Sequence, residues 1–257
     1  MALSVNTNVY SLAAQKNLSR TQSSLETSIQ RLSSGLRINM AKDDAAGLAI
    51  AQLQTAQARG LTVAQRNIAD GTSFLGVADA TLQSVSDMMQ RQRELSVQYG
   101  SGLYTGAQQG LMSTEFDALT AEITAALGRA SFNGTAVFGG GGTIQVGANS
   151  TETIDISITA LAARTAVISD TSTADADLSA VASKLADIGA LESRLEQAGR
   201  VAASMEEAQY AAAGRIMDAD FARETAKMTS SQVVQQAGVA ALAQANSIPQ
   251  LALSLLQ

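Results

Sequence analysis

The side chains in this sequence that come nearest to a catalytic pair are Asp43 and Asp44, adjacent carboxylates at the head of a long apolar-periodic stretch. General acid–base work needs two groups converging on one reacting atom. Neighbouring residues at a helix start point to different faces, and carboxylates there accept from free backbone N–H groups and complement the dipole. We read them as capping residues. Arg91 and Glu94 stand three apart, the spacing of a local ion pair on a helix face. The run Gly139 to Gly142 lacks the Gly-Lys-Ser/Thr that a phosphate loop requires, so it is a hinge between strands. With His 0 and Cys 0, no imidazole base, thiolate, zinc cluster or disulfide can be assembled. The residues offer no catalytic, metal or cofactor site.

Composition narrows the remaining classes. Of 257 residues 46% are hydrophobic, but only 4% are aromatic, and much of the apolar content is Ala. Such a chain builds closely packed helices more readily than a thick core. A single Pro, at Pro249, leaves almost nothing to interrupt them. A net charge of -6 with 17 basic residues argues against a surface that tracks phosphates, so nucleic acid is not an expected partner. The start, MALSVNTNVYSLAAQ, lacks the basic and continuous apolar stretches of a secretory signal, and no run of about 18 apolar residues suits a membrane. That leaves a cytosolic protein, or one exported by a route that reads no cleavable signal.

Periodicity supplies the elements. Leu18, Leu25 and Leu32 repeat every seven, with Ile29 and Leu36 beside them, giving a narrow N-terminal seam. A second helix is expected from about Asp44 to Gln98, roughly 80 Å long. Along it Leu61, Ile68, Leu75, Leu82 and Met89 alternate with Ala64, Gly71, Ala78 and Val85. Phe116, Leu119, Ile123 and Leu127 mark a third helix that stops before Asn133-Gly134. The period then changes to two, with Ile144 and Val146, then Ile154, Ile156 and Ile158, which predicts a small β-hairpin and a loop through about Ala176. Val181, Ile188, Leu195, Ala202, Gln209 and Ile216 form a returning helix. A last helical segment follows from Asp218, thinly anchored by Phe221, Met228, Val233, Leu242, Leu251 and Leu255.

The fold class is therefore mainly α, an elongated coiled-coil helical bundle made from both chain ends, with a small β-hairpin insert. Three parts are expected: a terminal coiled coil from 1–42 plus 217–257, a helical bundle from 43–130 plus 177–216, and a hairpin and loop over 131–176. Fixing about 80 terminal residues costs on the order of 100 kcal/mol of conformational entropy, more than a two-helix contact offsets. The ends are expected to order only against copies of themselves or other partners.

The motifs carry a resemblance. Arg31-Leu-Ser-Ser-Gly-Leu-Arg-Ile-Asn39 followed by Ala41-Lys-Asp-Asp-Ala-Ala-Gly-Leu-Ala-Ile50 resembles the N-terminal signature of bacterial flagellins. Gln90-Arg91, Arg93-Glu94-Leu95, Ala121-Glu122-Ile123 and Phe132-Asn133-Gly134 are similar to later parts of that pattern. Asp218-Ala-Asp220, Gln235-Gln-Ala-Gly238, Leu242-Ala-Gln-Ala-Asn246 and Ser254-Leu-Leu256 complete it. Met40 and Gln250-Leu-Ala-Leu253 depart from the common residues.

The resemblance implies a non-enzymatic, short flagellin without large outer domains, exported unfolded and polymerised through its terminal helices into the extracellular flagellar filament for swimming motility. The implied self-assembly seam is Leu18, Leu25, Ile29, Leu32, Leu36, Phe221, Met228, Val233, Leu242, Leu251 and Leu255, and the implied domain junction is Asn39, Lys42, Asp43 and Asp44. Implied partners are other copies of the chain, the filament cap and hook-junction proteins, an export chaperone and the type III export apparatus. Arg91, Leu95 and Glu122 match residues that the vertebrate flagellin receptor grips in this family. Two alternatives stay open: a hook-filament junction protein of the same fold, and a non-flagellar signalling coiled coil.

Overall fold

The structure is a computed structural model, and it describes residues 7–161 and 166–254. Its helices are α1 (Val9–Ser34), α2 (Ala45–Tyr99), α3 (Gly106–Arg129), α4 (Thr171–Met217) and α5 (Phe221–Ser254). Between α3 and α4 lie the short strands β1 (Ser131–Phe132), β2 (Thr135–Ala136), β3 (Thr143–Gln145) and β4 (Thr153–Asp155). The chain divides into two compact units, Met1–Thr55 with Tyr210–Gln257, and Ala56–Gln209. The division falls inside α2 and α4, whereas the sequence suggests the loops at 42/43 and 216/217. Both helices continue past those loops, so helix pairing and not chain punctuation sets the boundary.

The central unit, Ala56–Gln209, holds the core. Leu75, Leu82, Val85 and Met89 of α2 meet Ile123 of α3 and Val181, Ile188 and Leu195 of α4. All nine positions of the α2 seam read from the sequence are buried, as are Val181, Ile188, Leu195 and Ala202 on α4. Small residues there set the approach distance. At Gly71 a Cβ would lie 2.0 Å from Ile144 Cδ1 and 3.3 Å from Leu195 Cδ1, so a side chain there would push the tip of Ile144 aside and crowd Leu195.

Two antiparallel hairpins cap this bundle. In the first, Ser131 pairs with Ala136 and Phe132 with Thr135. Its two-residue turn is Asn133-Gly134, at φ 50° and 79°, the left-handed pair that matches strand twist. Phe132 meets Phe74 edge to face at 6.2 Å. In the second, Ile144 pairs with Ile154, and Ile154, Ile156 and Ile158 are all buried against the helices. α4 starts at Thr171, earlier than the loop expected through Ala176. Asp170 Oδ1 accepts from Ser172 N at 2.9 Å there, an Asx contact that turns the chain into the helix.

Candidate self-assembly surface

α1 and α5 lie antiparallel. Near one end Leu36 and Asp218 form an antiparallel bridge, and at the other Asn8 Nδ2 donates to the Ala245 carbonyl at 2.8 Å. The end helices thus pair with each other within one chain, although the sparse anchors suggested order only against other copies. Each supplies the seam that the other lacks.

That seam differs in membership from the one expected. On α1 the shielded positions include Ser11, Ala14, Leu18, Thr21, Leu25, Ser28 and Leu32, a strict heptad frame. On α5 they include Glu224, Met228, Ser231, Gln235, Gly238, Leu242 and Ala245. Leu18, Leu25, Leu32, Met228 and Leu242 lie in it, and Leu36 is half-buried in the elbow beyond. Ile29, Phe221 and Val233 lie outside this intrachain seam: they are 49%, 57% and 60% exposed, on faces turned from the partner helix. One residue off the frame rotates a side chain by about 100°, which carries it out of a two-helix seam. Val9, Leu12, Val234 and Val239 are exposed as well. The side chain of Leu251, and Leu255 altogether, lie outside what the structure describes. Sequence reasoning missed the polar members Ser11, Ser28, Gln235 and Glu224. The same frame of seven would have found them had polar positions been allowed in it.

The elbow between α1 and α2 is built from backbone contacts. Gly35 closes α1 at φ 71°, the left-handed cap that glycine adopts without strain. Arg37 N then donates to the Met217 carbonyl at 2.6 Å, and Ala219 N to the Gly35 carbonyl at 2.9 Å. Ile38 is 1% exposed and anchors the turn. Asp43 Oδ2 accepts from Asn39 N at 3.2 Å and Met40 N at 3.1 Å. These two donors, helped by Arg31 and Lys42, hold its carboxyl below the usual range. Asp44 Oδ1 accepts from Gly47 N at 2.8 Å and caps α2. The adjacent acids thus have separate structural tasks. Asn39, Lys42, Asp43 and Asp44 all fall inside the terminal unit and not at its border.

Arg91 and Glu122 are each held in ion pairs with other residues. Arg91 is raised in pKa by Glu115 first and Glu94 second, its Nε lying 2.9 Å from Glu115 Oε1 and its Nη1 3.0 Å from Glu94 Oε2. Glu122 pairs instead with Arg129. Leu95 is 1% exposed, because it occupies the packed side of α2 next to the buried Gln92 and Ser96. Gln92 Nε2 donates to the Phe116 carbonyl at 3.1 Å and Thr120 Oγ1 at 2.7 Å, a satisfied polar tie between α2 and α3.

Two family models cover these elements. Residues 5–143 match the bacterial flagellin N-terminal helical region, and residues 171–256 match the bacterial flagellin C-terminal helical region. A flagellin of Xenorhabdus nematophila is 38% identical over an alignment of 313 positions that covers 100% of both chains. The chain belongs to the bacterial flagellin family. A flagellin of Salmonella muenchen is 45% identical over 167 residues, 64% of this chain and 33% of its own length. The chain therefore spans about a third of the length of that Salmonella flagellin. The crystal structure of Bacillus cereus flagellin overlays 56% of this chain and 88% of its own, with TM-score 0.42 and 21% identity. Family membership sets aside the signalling coiled coil. Among the described residues no helix is long and apolar enough to cross a membrane.

Proposed function

We propose that this flagellin is a non-enzymatic structural subunit of the extracellular flagellar filament, and that it polymerises for motility through the α1–α5 pair. The observation that carries the reading is the placement of apolar side chains on that pair. Its inner seam is small and partly polar, while Val9, Leu12, Ile29, Phe221, Val233, Val234 and Val239 face outward. A two-helix unit that turns large apolar groups to solvent has surfaces left to bury. Where the contacted faces of two subunits differ, the contacts are heterologous and need not close, and they generate a helical filament. Ile29, Phe221 and Val233 act between copies, and Leu18, Leu25, Leu32, Met228 and Leu242 act within one.

The finer partners rest on family likeness: filament cap and hook-junction proteins at the filament ends, an export chaperone, and a type III export route that reads no cleavable signal. A chain with Cys 0 suits passage unfolded and refolding outside. The test is negative-stain electron microscopy of purified protein after salting-out, where long helical filaments are expected. Soluble particles or shapeless aggregate under every salting-out condition would overturn the reading.

A further inference from the structure

The α1–α5 seam has a degeneracy that apolar packing alone does not remove. On α1, Leu18, Leu25 and Leu32 recur every seven residues; on α5, Ser231, Gly238 and Ala245 recur every seven, as do Met228, Gln235 and Leu242. Sliding α5 by a heptad against them exchanges small residue for small residue in the first series and one long side chain for another, Met228, Gln235 or Leu242, in the second. Knob-and-hole volume therefore sets this register weakly.

One place in the seam is unlike the rest. Arg31 Nη1 stands 4.0 Å from Glu224 Oε1, with side-chain exposures of 24% and 10%. Ser28, 0% exposed, lies one turn from Arg31 on the same face. Ser28 Oγ, Arg31 Nε and Glu224 Oε1 are buried and make no hydrogen bond among the described residues. Such a pair is long and poorly satisfied, so it is a weak stabiliser; ion pairs and polar groups of this kind are best attested as devices that fix register.

We infer that the Arg31–Glu224 pair, with Ser28 beside it, selects the register in which α1 and α5 lie along one another. A slide of one heptad in one direction sets Ser231 opposite Arg31, which then stands in the seam without its carboxylate while Glu224 passes the end of α1 at Ser34; a slide the other way sets Glu224 about opposite Ser24, in the seam without its cation. Burying an unpaired charge is far more expensive than exchanging one long side chain for another. The backbone bridge at the elbow, where Leu36 meets Asp218, is the competing determinant, and the experiment separates the two.

The native chain has Cys 0, so an introduced pair reports register without background. A Cβ at Gly238 would lie 3.4 Å from Leu18 Cδ1, so Leu18→Cys with Gly238→Cys reports the observed register. Leu18→Cys with Ser231→Cys, and Leu18→Cys with Ala245→Cys, report slides of one heptad either way. Disulfides within one full-length chain are read on non-reducing gels, so the outcome does not depend on whether the chain polymerises. In the otherwise native chain the Leu18–Gly238 pair is expected to dominate. Glu224→Arg is expected to cut that product about tenfold and raise the displaced ones, and adding Arg31→Glu to restore it. Glu224→Leu, which keeps the helices packed, is expected to broaden the distribution at undiminished total yield. The inference is overturned if Glu224→Arg and Glu224→Leu leave the in-register product unchanged, if the swap restores nothing, or if the native seam yields no Leu18–Gly238 disulfide.

Discussion

Two seams of the same period run through this flagellin, and they are built for different purposes. Along α2 and α4 of the central unit, large residues alternate with Ala and Gly, and Leu75, Leu82, Val85, Val181 and Leu195 are all 0% exposed. Along α1 and α5 the corresponding positions are Ser, Thr, Gln and Gly with scattered Leu, and among the described residues only Ser11, Ser28, Glu224 and Ala245 are buried on these helices, Ser28 alone completely. The first seam is closed within one chain. The second pairs two helices through sparse Leu and Met and leaves a further set, Val9, Leu12, Ile29, Phe221, Val233, Val234 and Val239, turned to solvent. Heptad spacing therefore predicts pairing, while side-chain size decides how much of the pairing is completed within the subunit.

The largest contrast is expected from truncating a leucine in each seam. Leu195→Ala removes a fully buried side chain flanked by Gly71 and should destabilise the central unit by about 2–5 kcal/mol. Leu18→Ala, in the half-exposed seam, should destabilise by roughly 1 kcal/mol or less, since little area is withdrawn from water. Thermal unfolding of the soluble chain followed by circular dichroism compares them. Equal shifts in midpoint would mean that the two seams are energetically alike.

The next effect concerns assembly, not folding. Ile29→Asp places a charge on the outward face of α1 and should leave the monomer's circular dichroism unchanged while abolishing filaments. Leu32→Asp places it in the inner seam and should loosen α1 from α5 as well. Filaments of normal length from the Ile29→Asp variant would place that face outside the contacts between copies.

A smaller effect is expected from local opening. Trypsin should cut the free subunit at Arg223 and Lys227 of α5 roughly tenfold faster than at Arg194 and Arg200 of α4, because a thinly packed helix opens at lower free energy. In filaments the difference should shrink. Mass spectrometry of timed digests gives both rates, and equal rates in the soluble chain would erase the distinction between the seams.

How much of this is legible in the sequence follows from the same contrast. The α2 and α4 seams are plain because large apolar residues at strict spacing have one physical reading. The α1–α5 seam is legible in its leucines but not in Ser11, Ser28 or Glu224, since a polar residue in a heptad signals burial only once its partner is known. Ile29, Phe221 and Val233 are apolar but outside the intrachain seam, which apolar character alone does not reveal. On a helix that assembles, it marks an outer face as readily as an inner one. The hairpin at Asn133-Gly134 is signalled by its turn dipeptide, yet that dipeptide reads equally as a helix stop, its strands being too short for alternation to show. Leu95 enters through the family resemblance alone, and its burial beside Gln92 and Ser96 follows from the packed side of α2, which neighbouring charges hide in the sequence.

The smallest effect is at the elbow, where Asp43→Asn probes the acid response of the terminal unit. Asp43 accepts from Asn39 N and Met40 N, and these donors lower its pKa below the ordinary 3.8. A carboxyl whose folded pKa is depressed binds its proton more readily when unfolded. Its contribution is therefore fully present above the ordinary value and is lost as pH falls from about 3.8 through the lower folded value. The group is exposed, so salt and water screen its Coulombic part, and the two backbone hydrogen bonds carry most of the effect. Asp43→Asn keeps a side-chain acceptor but no charge, and should remove only the pH-dependent component. Acid titration of the native chain should show α1–α5 loosening, read by pepsin cleavage of α5 against α4, before the central core melts. Asp43→Asn should flatten the acid side of that curve and leave neutral pH nearly unchanged. Two units that unfold together, with a curve the substitution does not alter, would show that the loop at 39–43 carries none of the acid sensitivity.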